Sequence, residues 1–120
     1  MSKKIVVADD QNDILWMVKS VLSKQGYEVK TDATGSLLDE IDGVHPDLII
    51  LDINLGDRDG GEICKKLKGQ EISKHIPVIL ISAIMDLSEI SKNCGADDYL
   101  AKPFRLSDLV NKVQQNLIAA

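Results

Sequence analysis

Short apolar runs punctuate the chain, and apolar residues at helical spacing fill the gaps between them. Leu48-Ile49-Ile50-Leu51 runs straight into Asp52. A run of this kind, bounded by turn formers, predicts a strand buried on both faces, as in parallel sheets covered by helices. Ile5-Val6-Val7-Ala8 repeats the pattern and ends in Asp9 and Asp10; Val78-Ile79-Leu80-Ile81 follows Pro77 and ends on Ser82. Two weaker strands complete the set. Tyr27 to Thr31 alternates, which suits a sheet edge with one face less buried. Asp97 to Ala101 is shorter and more polar, and leads into Lys102-Pro103-Phe104.

Helices are predicted between these strands. Ile14, Met17, Val18, Val21 and Leu22 define the first, with Asn12 or Asp13 as its cap and Gly26 as its stop. Trp16 lies off that stripe, on a flank, where it either covers neighbouring surface while partly buried or meets a partner. Ala33 to Ile41 forms a short second helix with Leu37, Leu38 and Ile41 inward, closed by Gly43. The turn His45-Pro46-Asp47 follows, since a residue before proline is pushed out of helical space. A third helix runs from about Glu62 to Lys68 with Ile63 and Leu67 buried; a fourth holds Leu87, Ile90 and Cys94 and stops at Gly95. The last runs from about Leu106 to Ile118 on Leu109, Val110, Val113 and Leu117, with Ser107 or Asp108 at its start. Ile53 to Gly61 is a polar, Gly-rich segment, either a functional loop or a connector. The alternation predicts right-handed crossovers and a doubly wound α/β domain: a five-stranded parallel sheet between five helices, with the order 2-1-3-4-5 common for its size.

At 120 residues the chain suits one domain, taken as 1-120, and is too short for two. A net charge of -5 without Lys/Arg clusters argues against direct nucleic-acid binding. No apolar stretch approaches the roughly 20 residues of a membrane span, and the N-terminal run is too short for a signal peptide, so a cytoplasmic protein without membrane association is expected. Cys64 and Cys94 lack metal-site spacing and read as buried free thiols; His45 and His75 read as solvated loop residues without a metal role.

The strand ends carry the candidate chemistry. In a parallel sheet they line one edge, so Asp9, Asp10, Asp52, Ser82 and Lys102 converge, with the first and third strands adjacent where the order reverses. One acidic residue there could be no more than a helix cap. Three carboxylates at close range need a counter-charge. Mg²⁺, held by one or two carboxylates and several waters, and the ammonium of Lys102 both supply it. Such a site can accept a phosphoryl group on one carboxylate, with Ser82 as a hydrogen-bonding hydroxyl.

Taken together, Asp9-Asp10, Leu51-Asp52 with Asp59-Gly60 following, Ser82-Ala83, and Gly95-Ala96-Asp97-Asp98-Tyr99-Leu100 leading into Lys102-Pro103-Phe104 resemble the receiver domains of two-component response regulators. The resemblance covers the whole chain and implies a flavodoxin-like, CheY-like fold. It implies Asp52 as phosphoacceptor, served by a sensor histidine kinase or phosphotransfer protein, or more slowly by a small phosphodonor. Mg²⁺ would be held by Asp10, Asp52 and the backbone carbonyl of Asn54, with Asp9 assisting through water. Ser82 would be the switch hydroxyl, Ala83 its small neighbour, Lys102 the phosphoryl-pairing lysine on a cis bond to Pro103, and Tyr99 the aromatic that rotates inward on activation; on its residue type alone Tyr99 would simply pack on the last helix. Phosphorylation would reshape the surface of the fourth helix, fifth strand and fifth helix for an unknown downstream effector. The protein would catalyse only its own phosphorylation and dephosphorylation, as a monomer or weak phosphorylation-dependent dimer.

Several positions depart from the family pattern. Gly56 replaces a common proline, which predicts a looser loop after Asp52, and Gly61 replaces a more usual apolar residue. Ile84 is apolar where polar groups orient attacking water, which predicts slow self-dephosphorylation. The segment between Ser82 and Tyr99 is slightly short, and the last helix lacks the arginine pattern of receivers that dimerise through it. Two other classes remain in view. A Mg²⁺-dependent aspartyl-phosphate phosphatase would carry an Asp where Asn54 stands, with a cap domain for which there is no room; a flavodoxin-like electron carrier would have a hydroxyl-rich loop in place of Asp9-Asp10-Gln11. The chain stops after its last helix, as either a complete single-domain regulator or a receiver cut from a longer protein. Trp16, on the end bordering the site, is a candidate kinase contact.

Overall fold

The computed structural model describes residues 2–119. In chain order the elements are β1 (Lys4–Ala8), α1 (Asn12–Lys24), β2 (Glu28–Asp32), α2 (Ser36–Asp39), α3 (Ile41–Val44), β3 (Leu48–Asp52), β4 (Asn54–Leu55), β5 (Arg58–Asp59), α4 (Gly60–Lys68), β6 (Val78–Ser82), α5 (Leu87–Cys94), β7 (Asp98–Ala101) and α6 (Leu106–Ala119). The main sheet is five-stranded and parallel, in the order β2-β1-β3-β6-β7. Counting only its own strands, that is the expected 2-1-3-4-5.

Strand alternation divides the core. Ile5, Val7, Leu48, Ile50, Ile79 and Ile81 face α1 and α6, where Val18, Leu22, Leu109 and Val113 meet them. Val6, Ile49, Leu51, Val78 and Leu80 face the opposite layer, α2 to α5, against Leu38, Ile41, Ile63, Leu67 and Leu87. Helices therefore cover both faces of β3, which is buried along its whole length, and water reaches the strands chiefly at their ends. β2 buries only Val29 and Asp32, as an edge strand should.

The structure corrects several expected details. The second helix is two short helices, so the described residues hold six helices rather than five. The break falls at Glu40, whose backbone leaves helical geometry at φ -112°, ψ 38°. The start is also delayed by Asp32, whose carboxylate accepts the amides of Thr34, Gly35 and Leu37 at 2.9–3.1 Å and holds a turn where the helix was expected to begin. Gly43 does not close it. His45 does, in the left-handed conformation at φ 51°, because Pro46 keeps it out of the right-handed region. At α1 the cap position is Gln11, not Asn12 or Asp13, with no side-chain bond to the helix. At α6 the carbonyl of Arg105 accepts the amides of Asp108 and Leu109, which leaves Ser107 and Asp108 inside the first turn.

The segment after Asp52 is also tighter than expected. β4 and β5 pair antiparallel around Gly56-Asp57, and Gly56 has φ 70°, the left-handed region that the first central position of such a two-residue turn requires. Arg58 then grips Asp39 with a two-pronged contact at 2.9 and 3.0 Å, tying the hairpin to α2. Gly61 leaves a depression of about 250 Å³ bordered by Ile53 and Ile90. Cys64 and Cys94 are buried free thiols, as expected, and burial pushes the Cys64 thiol up. Among the described residues no helix is long and apolar enough to cross a membrane.

Candidate functional site: an acidic pocket bridged by a lysine

Register builds the site. β1 pairs Ala8 with Leu51 of β3, so Asp9 and Asp52, the next residues of each chain segment, lie side by side. β3 pairs Asp52 with Ile81 of β6, and β6 pairs Ser82 with Ala101 of β7. Ser82 and Lys102 therefore arrive at the same edge. Oxygens of Asp9, Asp10 and Asp52 all lie within 4.8 Å of one another, with Asp9 and Asp52 buried and Asp10 exposed. A cavity of about 320 Å³ opens over them, lined by Asp10, Gln11, Asp52, Asn54, Ser82, Ala83, Ile84 and Lys102.

Lys102 is the centre of the charge arrangement. Its Nζ donates to Asp9 Oδ2 at 2.8 Å, Asp52 Oδ2 at 2.7 Å and Gln11 Oε1 at 2.9 Å, which uses all of its N–H groups. Burial alone would lower the Lys102 ammonium, but the hydrogen bonds to Asp52 and Asp9 outweigh it and hold the group above its ordinary value. Burial raises the Asp9 carboxyl, the neighbouring Asp52 charge adds to the rise, and the bonds from Lys102 and the Gln11 amide offset it only in part. The other Asp52 oxygen, Oδ1, accepts the Asn54 amide at 3.0 Å, which fixes the carboxylate plane toward the cavity. The Lys102–Pro103 peptide is cis, as the family resemblance implied.

Ser82 is buried, and its hydroxyl accepts the Ile84 amide at 3.2 Å. Tyr99 is not in the pocket. It lies at the surface with its ring 5.7 Å from the Lys112 ammonium, and Lys112 and Asn116 both donate to Asp98, at 2.8 and 3.0 Å. Burial would raise the Asp98 carboxyl, but these bonds outweigh it and hold the group below its ordinary value. Trp16, expected to be partly buried, is 74% exposed. An apolar hollow of about 380 Å³ is lined by Ile14 and Met17 of α1 with Ala83, Lys102, Pro103 and Phe104.

Sequence reasoning missed Gln11, and it named Gly60 only within the Asp59-Gly60 motif, without its contact. Gln11 is the third acceptor of Lys102, and nothing but its place after Asp10 hints at that. Gly60 is pressed onto the end of β3: its amide donates to the Ile53 carbonyl at 2.6 Å, and a Cβ added there would lie 2.0 Å from the Asp52 carbonyl oxygen.

Known proteins share this fold. The profile of the response regulator receiver domain family matches residues 5–114. The nisin biosynthesis regulatory protein NisR of Lactococcus lactis subsp. lactis is 42% identical over 120 aligned residues, covering 98% of this chain and 51% of the relative, so the chain spans about half the length of that curated protein. Among solved structures, a CheY-like response regulator receiver domain protein from Methanospirillum hungatei superposes with a TM-score of 0.91 at 33% identity, covering 99% of this chain and 96% of that one. Chemotaxis protein CheY4 of Vibrio cholerae superposes with a TM-score of 0.87 at 30% identity, covering 96% and 98%. A profile match across most of the chain and close superposition on CheY-like structures have one conclusion: this chain belongs to the response regulator receiver domain family, the receivers of two-component signalling.

Proposed function

We propose that Asp52 is the phosphoacceptor of this receiver, and that the domain catalyses only its own phosphorylation and dephosphorylation. The observation that carries this reading is the bridge from the Lys102 ammonium to the buried Asp9 and Asp52 carboxylates, at the mouth of an open cavity. One oxygen of Asp52 attacks phosphorus; the bond from phosphorus to the donor's nitrogen or oxygen breaks, and the electron pair leaves with the donor. Lys102 then follows the negative charge from carboxylate to phosphoryl oxygen, and Ser82 can turn its hydroxyl to another. The Ala83 side chain is too small to obstruct the entry. Ile84 lines the same cavity without a group to orient water, which supports slow hydrolysis of the product.

The oxygen donors fit Mg²⁺, which favours hard ligands and keeps several waters. Asp10, Asp52 and the Asn54 carbonyl would hold it, with Asp9 behind them. Bound there, it would neutralise phosphoryl oxygens and orient the incoming donor. Intact mass after incubation with acetyl phosphate and Mg²⁺ tests the reading. The expected result is one added phosphoryl group on the native protein and none on Asp52→Asn; equal modification of both would refute it.

The donor in the cell is a sensor histidine kinase or phosphotransfer protein in this reading. The apolar hollow along α1 shares Ala83 and Lys102 with the pocket, and together with the exposed Trp16 of the same helix it supplies a surface for that donor. Trp16→Ala should slow transfer from the cognate phosphohistidine about tenfold, the cost of one buried anchor of roughly 1.4 kcal/mol. Its reaction with acetyl phosphate should stay at the native rate. Equal kinase rates for variant and native protein would remove Trp16 from the docking surface. Output through the surface of α5, β7 and α6, with Tyr99 turning inward, completes the proposal; an effector binds there, and self-association is at most weak.

A further inference from the structure

We propose that Gln11 is a phosphoryl-binding residue: Lys102 fixes its carboxamide oxygen, and its Nε2 group donates to an oxygen of the phosphoryl group carried by Asp52. This rests on the reading of Asp52 as phosphoacceptor.

The ammonium settles which way the carboxamide is turned. Lys102 has donors and no acceptor, so only Oε1 of Gln11 can face it at 2.9 Å. The amide nitrogen must then be the outer end of the group. Among the described residues no acceptor bonds it, although Gln11 lines the cavity over Asp52. The residue is also anchored. Its backbone amide donates to Asp9 Oδ1 at 2.9 Å, and its carbonyl accepts the amides of Ile14 and Leu15 where α1 begins. A side chain held at its root by Asp9 and at its oxygen by Lys102 has little rotamer freedom left to lose when it meets a ligand.

The chemistry of the bound state calls for such a donor. A phosphoryl group brings three oxygens with several lone pairs each into a pocket whose protein carboxylates can only accept. Lys102 and Ser82 offer donors from the β6–β7 side of the site. Gln11 offers one from the β1 side, where Asp9 and Asp10 otherwise present negative charge. Because Lys102 holds Oε1, the bond from ammonium to carboxamide also polarises the N–H groups toward better donation.

A plain anchoring role for Lys102 makes the opposite prediction for one variant, which separates the two. Gln11→Leu removes both acceptor and donor, whereas Gln11→Glu keeps an acceptor for Lys102, loses the donor and adds a negative charge facing the phosphoryl group. The probe is trifluoroberyllate, a tetrahedral phosphoryl mimic, titrated at Mg²⁺ concentrations that saturate each protein and followed by amide NMR. Thermal unfolding without Mg²⁺ reads the resting site. Gln11→Leu should bind the mimic about tenfold more weakly, as loss of one charge-assisted hydrogen bond implies. Gln11→Glu should be weaker still, although its resting stability equals or exceeds that of Gln11→Leu. If Gln11→Glu binds as tightly as the native protein, or Gln11→Leu is unchanged, the proposal is overturned. If the native protein takes up neither trifluoroberyllate nor a phosphoryl group from acetyl phosphate, the reading of Asp52 fails and the role of Gln11 falls with it.

Discussion

Lys102→Met should unfold in urea with a loss of about 3–4 kcal/mol at pH 7, the cost of stranding buried charge when one partner of an ion pair is removed. The lysine side chain is only 13% exposed, Asp9 is fully buried and Asp52 is 5% exposed, so water cannot replace the ammonium in the folded state. Methionine keeps much of the stem's packing, which confines the loss to charge. The pH dependence carries a definite sign. A carboxyl such as Asp9, whose folded value is already raised, has its charged form disfavoured by folding, so it costs stability as pH rises past its ordinary value of about 4. Without Lys102 that cost grows. The deficit of the variant should therefore be largest near neutrality and shrink as the pH falls and the Asp9 carboxyl takes up its proton. Native Lys102, with its raised value, contributes its stability below about pH 10 and loses it as the pH rises through the folded value. Asp52→Asn in the Lys102→Met background should restore much of the loss, and Mg²⁺ should restore part of it. Denaturation curves at pH 7 and pH 4 check this; a deficit that does not change with pH would show that packing, not charge, set it.

Gly60→Ala should cost about 3 kcal/mol, which lowers the melting temperature by about 12 °C for a domain of this size. The glycine has an ordinary φ, so the reason is space rather than conformation. Its Cβ would meet the Asp52 carbonyl oxygen at 2.0 Å and the Ile53 Cα at 2.8 Å, both backbone atoms. Either α4 must retreat or the end of β3 must move, and Asp52 moves with it. Phosphorylation by acetyl phosphate should fall together with stability. Gly61→Ala is the control, because its Cβ meets Asp59 Oδ1 at 3.1 Å and Ile90 Cγ2 at 3.6 Å, both side-chain atoms able to shift. Differential scanning calorimetry distinguishes them; equal melting temperatures for the two variants would count against the close approach at Gly60.

The pattern of the chain determined a good deal by itself. Five predicted strands, four of them followed by a residue with useful chemistry, are enough to predict the parallel sheet, its order and the meeting of Asp9, Asp10, Asp52, Ser82 and Lys102. The physical reason is that parallel strands put every carboxyl end on one edge, so a one-dimensional list of strand ends becomes a site. Helix stops at Gly26 and Gly95 were legible for the same local reason: both glycines take positive φ just past a helix.

Tertiary structure decided the rest. That Asp32 would hold a turn and delay the start of the second helix depends on a side chain at the end of β2 reaching amides up to five residues on. That Gly56-Asp57 would close a hairpin, rather than loosen the loop, depends on Arg58 and Asp39 meeting across 19 residues. Gly60 is required by a backbone contact that no spacing rule reports. Gln11 joined the site because the Lys102 ammonium, 91 residues away, had one N–H left after Asp9 and Asp52 had taken the others. Local sequence sets strands, stops and the chemistry at their ends; how many acceptors surround one buried charge is a property of three-dimensional packing alone.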